Sequence, residues 1–405
     1  MQSLSQPRTV LLTERRPHTA RLAPVDVAFL LERHRGRMEV LPTGRRDCYC
    51  LTALGCAGLL VAPTCRFVIR PKIPWVNIFA MLDPLADVTA ECDRIAPEKG
   101  TEALEFLAGH LARRMEDRVT EGLHRAYREC CEQGTVLHGQ LDLPAQLRES
   151  PGRKDQLHSH YDELSADLSC NRAVKATAEK LLASPLLSAD VRATLRQALV
   201  GFEGVSPVPL SAQVWGMIQV ERVPTEYRSL LDLCRLLADS LSLNDAAGNV
   251  PAPSFLLDLE RVFETHVTRG IVEAFAESPD HTVSAQVTHT VNEPVADQPD
   301  VTMRPDLTIE CDGHTVLVID AKWKQLPTNA ETTDLYQVLA YGTALGAEIV
   351  VLVYPGRRWS VREYRFTRTP LRLMLCTLRV GGKRESCMRS VRRLARMLIS
   401  VLQKE

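Results

Sequence analysis

The sequence predicts a multidomain protein of mixed α+β and α/β character. A β-rich and helical N-terminal region precedes a C-terminal domain with a mixed central sheet flanked by helices. Three observations carry this reading. Short β-branched and aromatic runs broken by turn residues fill the stretch before about residue 74, and apolar positions at helical spacing dominate the middle. Beyond a break rich in Asn, Gly and Pro, the order becomes helix, three strands, helix, strand. A length of 405 residues suits roughly two or three domains, and an apolar content of 45% can bury real cores, which excludes a disordered tail or a fibrous protein.

From Thr9 to about Pro74 the pattern is one of short strands around a helix near Val25 to His34; Leu59 to Ala62 and Arg66 to Arg70 are separated by the turn-like Pro63-Thr64. A helical pattern runs from Thr101 to about Gln133 and takes in Cys130 and Cys131, after which VLHGQLDL (136–143) alternates like a strand. Helices are expected over Asn171 to Ala183, Ala189 to Phe202 and Glu226 to Leu241. The segment SLNDAAGNVPAPS interrupts periodicity and places the main boundary near residue 245. The expected organisation is therefore a β-rich module over 1–100, a mainly helical region over 101–245 and a C-terminal domain over 246–405.

In the last domain Phe255, Leu256, Leu259, Phe263, Val267 and Ala274 recur at helical spacing, which predicts a helix of about six turns over 255–277. TVSAQVTHTV, DLTIEC and TVLVIDAKWK are strand candidates, the last two joined by the hairpin signal Asp312-Gly313. Thr332 to Leu345 is again helical, and EIVVLVYP is apolar enough for a strand buried on both faces. No internal repeat is visible.

Charge is distributed unevenly. The net charge is only -1, yet Arg357 to Glu405 holds 14 basic and 3 acidic residues against 35 and 47 before it. The C-terminal end should attract polyanions. The N-terminus has no apolar leader, and the longest apolar stretch, about Cys48 to Pro63, is interrupted by Gly55 and Gly58 and falls short of the roughly 20 residues a bilayer needs. A soluble, cytoplasmic protein with no membrane partner is expected. Cys48, Cys50, Cys56 and Cys65 lack the CxxC pairing of zinc sites, so buried free thiols are the better reading of the cysteines. There is no G-x-x-x-x-G-K-[ST] loop, so no nucleotide should be bound by this chain alone.

The chemically informative segment is RPDLTIECDGHTVLVIDAKWKQ. Asp306 opens one strand; Asp320 interrupts the end of the next, directly after Leu317-Val318-Ile319. A carboxylate at such a place is costly unless a cation or hydrogen-bond donors compensate it. Strand alternation puts Asp320 and Lys322 on one face, and a hairpin can bring Asp306 beside Asp320. Two such carboxylates suit a hard divalent ion, Mg²⁺ with Mn²⁺ as a substitute, and a nearby lysine can orient water and steady charge on a phosphate. A bare Asp-Ala-Lys could equally be a strand-end ion pair. With the upstream Pro-Asp, the hairpin, and Gln337 and Tyr341 at i, i+4 on the following helix, the order reproduces the PD-(D/E)xK nuclease pattern. Glu264 on the preceding helix is the candidate additional acid, with Glu260 as its substitute. Gln337 and Tyr341 resemble the Q-x-x-x-Y element of RecB-like nucleases and are read as supporting the site; otherwise they are a helix-face hydrogen-bonding pair.

The final helix, SCMRSVRRLARMLISVLQK, places Met388, Val391, Leu394, Leu398 and Val401 on one face and Arg389, Arg392, Arg393 and Arg396 on another. With Arg357, Arg358, Arg362, Arg365 and Arg368 upstream, this stripe is read as a DNA-facing surface making sequence-independent phosphate contacts, the alternative being a solvated helix face. In IRPKIP, Arg70 and Lys72 could face an acidic partner, or form a strand edge blunted by Pro71.

Taken together, RPD, DAKWK, DLYQVLAYG, GCAGLLVAPTCRFVIRPKIPWVNIFAML, YDELSADLSCNRAVKATAEKLL and FLLDLERVFETHV make the chain similar, over nearly its whole length, to the McrC family, the nuclease subunits of McrBC-type modification-dependent restriction systems. The resemblance implies a C-terminal PD-(D/E)xK nuclease whose catalytic motif falls on Asp306, Asp320 and Lys322. It also implies an N-terminal region that docks on a hexameric AAA+ NTPase and stimulates it. The partner would recognise modified cytosine in double-stranded DNA while this subunit cuts. The expected activity is thus a Mg²⁺-dependent endodeoxyribonuclease in defence against foreign DNA. The alternatives are a non-cleaving DNA-binding activator of the NTPase and a stand-alone RecB-like repair nuclease.

Overall fold

The computed structural model describes residues 8–82, 100–153, 155–218, 223–242, 246–247, 250–251, 253–292, 299–326, 332–381 and 384–403. The boundary expected near residue 245 lies outside them. The chain divides into two compact units: one combines residues 1–103 with 242–405, and the other is residues 104–241. Both mix helices and sheets, as expected of an α+β chain. Among the described residues no helix is long and apolar enough to cross a membrane.

In the first unit, strands β1 (Arg8–Thr13), β2 (His18–Arg21), β3 (Met38–Pro42), β4 (Cys48–Ala53), β5 (Cys56–Val61) and β6 (Cys65–Arg70) surround helix α1 (Pro24–Arg33), and helix α2 (Trp75–Leu82) follows. β1 lies parallel to β6 and β5 antiparallel to it, while β2, β4 and β3 form a separate antiparallel sheet. Val10, Leu12, Phe29, Leu30, Leu51, Leu60 and Phe67 make one core, to which Leu256 from the far end of the sequence also belongs.

The second unit contains helix α3 (Glu102–Glu121), strands β7 (Ala126–Gly134), β8 (Gln140–Leu141) and β9 (Leu157–Ser165), and helices α4 (Leu143–Glu149), α5 (Ser169–Ala183), α6 (Ala189–Val200), α7 (Ala212–Met217) and α8 (Thr225–Ser240). Here two expectations are corrected. The helix predicted to Gln133 ends at Glu121, because Gly122 takes a φ of 94° and turns the chain into β7, so Cys130 and Cys131 lie in a strand. β7 pairs antiparallel with β9 along its whole length. Of the strand predicted over 136–143 only Gln140 and Leu141 pair; Asp142 caps α4, accepting the N–H of Ala145 at 3.0 Å. Asp167 ties the start of α5 to a later loop. It accepts from Arg172 Nε and Nη2, at 2.7 and 2.6 Å, and from the Ser206 N–H and hydroxyl, both at 2.8 Å.

The first unit resumes with strand β10 (Ser254–Asp258) and helix α9 (Leu259–Phe275). The predicted helix start at Phe255 is thereby corrected. Phe255 to Asp258 pair antiparallel with β5, and helix begins only where the Asp258 carboxylate accepts the N–H groups of Glu260 and Arg261. An apolar Phe-Leu-Leu run fits a strand buried on both faces as well as a helix, and the cap decides. Gly58 on β5 has a φ of 136°, and a Cβ there would lie 2.1 Å from the Phe255 carbonyl oxygen, so only glycine permits this pairing.

Strands β11 (His281–Ala285), β12 (Leu307–Cys311), β13 (His314–Ala321), β14 (Ile349–Gly356), β15 (Ser360–Arg365) and β16 (Arg372–Arg379) form a mixed six-stranded sheet in the order β11-β12-β13-β14-β16-β15. β13, β14 and β16 are parallel neighbours and the outer pairings are antiparallel. The β12–β13 hairpin turns at Asp312 and Gly313, with φ of 50° and 78°. β14 is buried along nearly its whole length, as its composition predicts. The sequence reading assigned no element to β15 or β16, whose flanking arginines drew attention to charge alone. Helix α10 (Thr332–Leu345) covers one face, joining Val338 to Val318, Val350 and Leu352. Helix α11 (Arg384–Leu402) packs against α9 so closely that a Cβ on Gly270 would meet Val391 at 2.1 Å.

Candidate active site

The hairpin β12–β13 builds the site. Leu307 faces Ile319 in the ladder, so the next step outward sets Asp306 against Asp320, and the Ala321 N–H donates to Asp306 Oδ2 at 2.7 Å. Lys322 follows β13, donates its N–H to the Val353 carbonyl at 2.8 Å and sets its ammonium 2.7 Å from Asp320 Oδ2. Asp320 is 2% exposed. The Lys322 ammonium is the contact that its buried Oδ2 makes.

Electrostatics follow from this burial. Burial, reinforced by the neighbouring Asp306, pushes the Asp320 carboxyl up to about 6. The Asp306 carboxyl is raised by burial too, against the opposing pull of the Ala321 N–H and Lys322. Glu264 on α9 is raised to about 7, by burial and then by Asp306, and its carboxyl is in hydrogen-bonding contact with that of Asp306. Burial works against the Lys322 ammonium, but Asp320, Asp306 and Asp334 together outweigh it and hold the lysine above its ordinary range. Three carboxyl groups whose anions remain disfavoured despite Lys322, Arg304 and Arg261 nearby make a cradle short of positive charge.

The acidic candidates on α9 have different neighbours. Glu264 faces Asp306 and Asp320, whereas Glu260 is held by Arg15 at 2.7 Å. Gln337 donates to the Tyr341 hydroxyl at 2.9 Å, and that hydroxyl reaches the Arg304 carbonyl at 3.5 Å, two residues before Asp306. Arg389, Arg392, Arg393 and Arg396 are all exposed while Val391, Leu394 and Leu398 are buried. Arg393 lies 5.0 Å from the Trp359 ring centre, and Arg357, Arg358, Arg362, Arg365 and Arg368 are exposed as well. Lys72 differs from its expected outward placement: its ammonium lies 3.7 Å from the buried Glu14 carboxylate and 4.2 Å from the Trp323 ring centre. Arg70 is the last paired residue of β6, opposite Thr13.

Two contributors escaped sequence reasoning. Asp334, at the start of α10, is buried and accepts from the Tyr354 hydroxyl and meets the Lys324 ammonium, both at 2.8 Å, which pins the residue two beyond Lys322. Glu14 is buried 309 positions before Trp323, whose indole N–H it accepts at 2.7 Å. Lys324 and Asp334 flank the motif, a signal that could have marked them; no local signal marks Glu14.

Among the described residues no three His, Cys, Asp or Glu side chains are arranged to hold a metal ion. Mg²⁺ does not require three, since it is commonly bound through one or two carboxylates together with water and substrate phosphate oxygens. The buried Asp320 carboxyl beside Asp306, both with their anions disfavoured, fits that chemistry.

The chain belongs to the family of McrBC 5-methylcytosine restriction system components, which matches residues 51–355. Among solved structures, it is similar to a half-complex from a tetradecameric assembly of Thermococcus gammatolerans McrB AAA+ hexamers with bound McrC. The identity is 18%, covering 95% of this chain and 100% of that one, with a TM-score of 0.47. It is also similar to a chain of the Thermococcus gammatolerans McrBC complex, at 17% identity over 66% of this chain and 88% of that one, with a TM-score of 0.44. No curated protein matches.

Proposed function

We propose that the chain is the Mg²⁺-dependent endonuclease subunit of a modification-dependent restriction complex, with a PD-(D/E)xK nuclease fold around the six-stranded sheet. The observation that carries the reading is the convergence of Asp306, Asp320 and Lys322 at the end of one hairpin, with Asp320 buried and its Oδ2 2.7 Å from the Lys322 ammonium. Asp306 and Asp320 would hold the metal, and Glu264 would complete or orient its shell. Lys322, already held by Asp320, positions the attacking water and steadies charge growing on the phosphate. A bound Mg²⁺, or Mn²⁺ in its place, supplies Lewis acidity toward the phosphate and a more acidic water. Gln337 and Tyr341 brace the segment leading to Asp306 through the Arg304 carbonyl. The exposed arginines of α11 would grip backbone phosphates of double-stranded DNA regardless of sequence.

The partner in this reading is an AAA+ NTPase hexamer, the assembly in which the Thermococcus McrC chain is bound. Membership of a family of restriction-system components and the lack of a phosphate-binding loop in the sequence both support a motor on another polypeptide. The complex would act in the cytoplasm on modified DNA. The test is cleavage of methylated duplex by the full chain with its AAA+ partner in Mg²⁺ and in chelator. Asp306→Ala, Asp320→Ala and Lys322→Ala should each abolish cutting. Near wild-type cutting by Asp320→Ala overturns the assignment.

A further inference from the structure

Trp323, the residue after Lys322, is 2% exposed and is held from three sides. Its indole N–H donates to Glu14 Oε1 at 2.7 Å, from the residue directly after β1. The Lys72 ammonium, beyond β6, lies 4.2 Å from its ring centre and 3.5 Å from its carbonyl oxygen. Phe263, adjacent to Glu264 on α9, meets the same ring at 5.4 Å between centroids. Glu14 is itself closed in: the Lys72 N–H donates to Oε2 at 3.3 Å, and the Arg15 guanidinium lies 3.7 Å from Oε1. The Glu14 side chain has no exposure at all.

A buried carboxylate shared by a lysine, an arginine and an indole is costly to assemble, and replacing such groups by apolar ones often stabilises a fold. Lys322 and Trp323 are consecutive, so whatever fixes the indole constrains the backbone from which the Lys322 ammonium reaches Asp320.

We propose that Glu14 is a positioning residue for the nuclease site: through the Trp323 indole it holds Lys322 in register with Asp320 and so couples the N-terminal sheet to cleavage. This rests on the nuclease reading above. Lys322, not Glu14, touches the reacting groups. The hydrogen bond between Glu14 and Trp323 should therefore affect turnover far more than affinity for DNA.

The experiment uses the full chain with its AAA+ partner and methylated duplex in Mg²⁺, scoring kcat, KM for DNA and thermal midpoint. Trp323→Phe keeps a ring for Lys72 and Phe263 but removes the indole N–H; it should lower kcat roughly tenfold or more with KM changed less than about twofold. Glu14→Leu should do the same, and Glu14→Gln, which retains an acceptor for the indole, should recover most of the turnover. The double variant Glu14→Leu/Trp323→Phe should be no worse than either single, since both remove one interaction. If Glu14→Leu does not fold, Trp323→Phe against wild type still decides. A folded Trp323→Phe protein with wild-type kcat, while Asp320→Ala is dead, overturns the positioning role alone. A wild-type protein that does not cut in Mg²⁺ overturns the nuclease reading and the role built on it.

Discussion

Replacing Asp320 by Asn should stabilise the protein while abolishing its activity. The Asp320 carboxyl is raised from an ordinary 3.8 to about 6, by burial and by Asp306. At about 1.4 kcal/mol per pKa unit, ionised Asp320 costs the fold about 3 kcal/mol above pH 6. Asparagine removes that cost and relieves Asp306. The attraction of the Lys322 ammonium is already contained in that raised value, so the net gain should be about 3 kcal/mol. For units of this size the gain corresponds to roughly 6–12 °C in Tm. The pH dependence has a definite sign. A carboxyl whose folded pKa is raised favours the fold below its unfolded pKa and loses that advantage as pH rises through the folded value. The gap between Asp320→Asn and wild type should therefore be absent below about pH 4 and full above about pH 6. Mg²⁺ should raise the Tm of wild type and leave the variant nearly unmoved, because only wild type has the carboxylate pair to hold it. Thermal denaturation at pH 4 and pH 7.5, with chelator and with Mg²⁺, checks all of this. A variant less stable than wild type at pH 7.5 in chelator, or a gain of equal size at both pH values, would refute the account of the site as a cradle short of positive charge.

Changing Arg389, Arg392, Arg393 and Arg396 together to Gln should reduce the slope of log K for duplex DNA against log salt by roughly 0.9 for each phosphate that is no longer neutralised; an unchanged slope would make the stripe an ordinary solvated face. Asp320→Asn, tested as full-length protein, should stimulate the AAA+ partner's NTP hydrolysis as fully as wild type, measured by phosphate release, if docking falls to the N-terminal region and cutting to Asp320 as proposed. A fragment beginning near Pro251 is unsuited to that comparison, since it strips β10 of its partner β5 and Trp323 of Glu14. Gly58→Ala combines a left-handed φ with a carbonyl oxygen 2.1 Å from the new Cβ, and should destabilise the first unit by roughly 2–5 kcal/mol in urea titrations; a loss below about 1 kcal/mol would mean that the β5–β10 pairing yields easily.

The sequence by itself determined the elements whose signals are local. The β12–β13 hairpin follows from Asp312-Gly313 between alternating runs, β14 from its unbroken apolar composition, and α11 from arginines and aliphatics segregated at helical spacing. The face shared by Asp306, Asp320 and Lys322 follows from strand alternation plus that hairpin, so the candidate site was visible before any coordinates. Tertiary structure decided what depends on partners distant in sequence. Phe255 to Asp258 form a strand because β5 offers an open edge, and an apolar run of that length carries no periodicity to separate strand from helix. The end of α3 turned on the left-handed backbone of Gly122, and β16 on the parallel edge of β14. Glu264 and Glu260 differ by one turn and are equivalent on a helical wheel; Arg15 engages the second, and the buried carboxyls of Asp306 and Asp320 surround the first. Lys72 reads as a surface lysine until Glu14 and Trp323 enclose it. The bond between Glu14 and Trp323 joins residues 309 apart in sequence, and a desolvated carboxylate leaves no trace in composition or spacing, because its cost and its compensation arise only when the chain has closed around it.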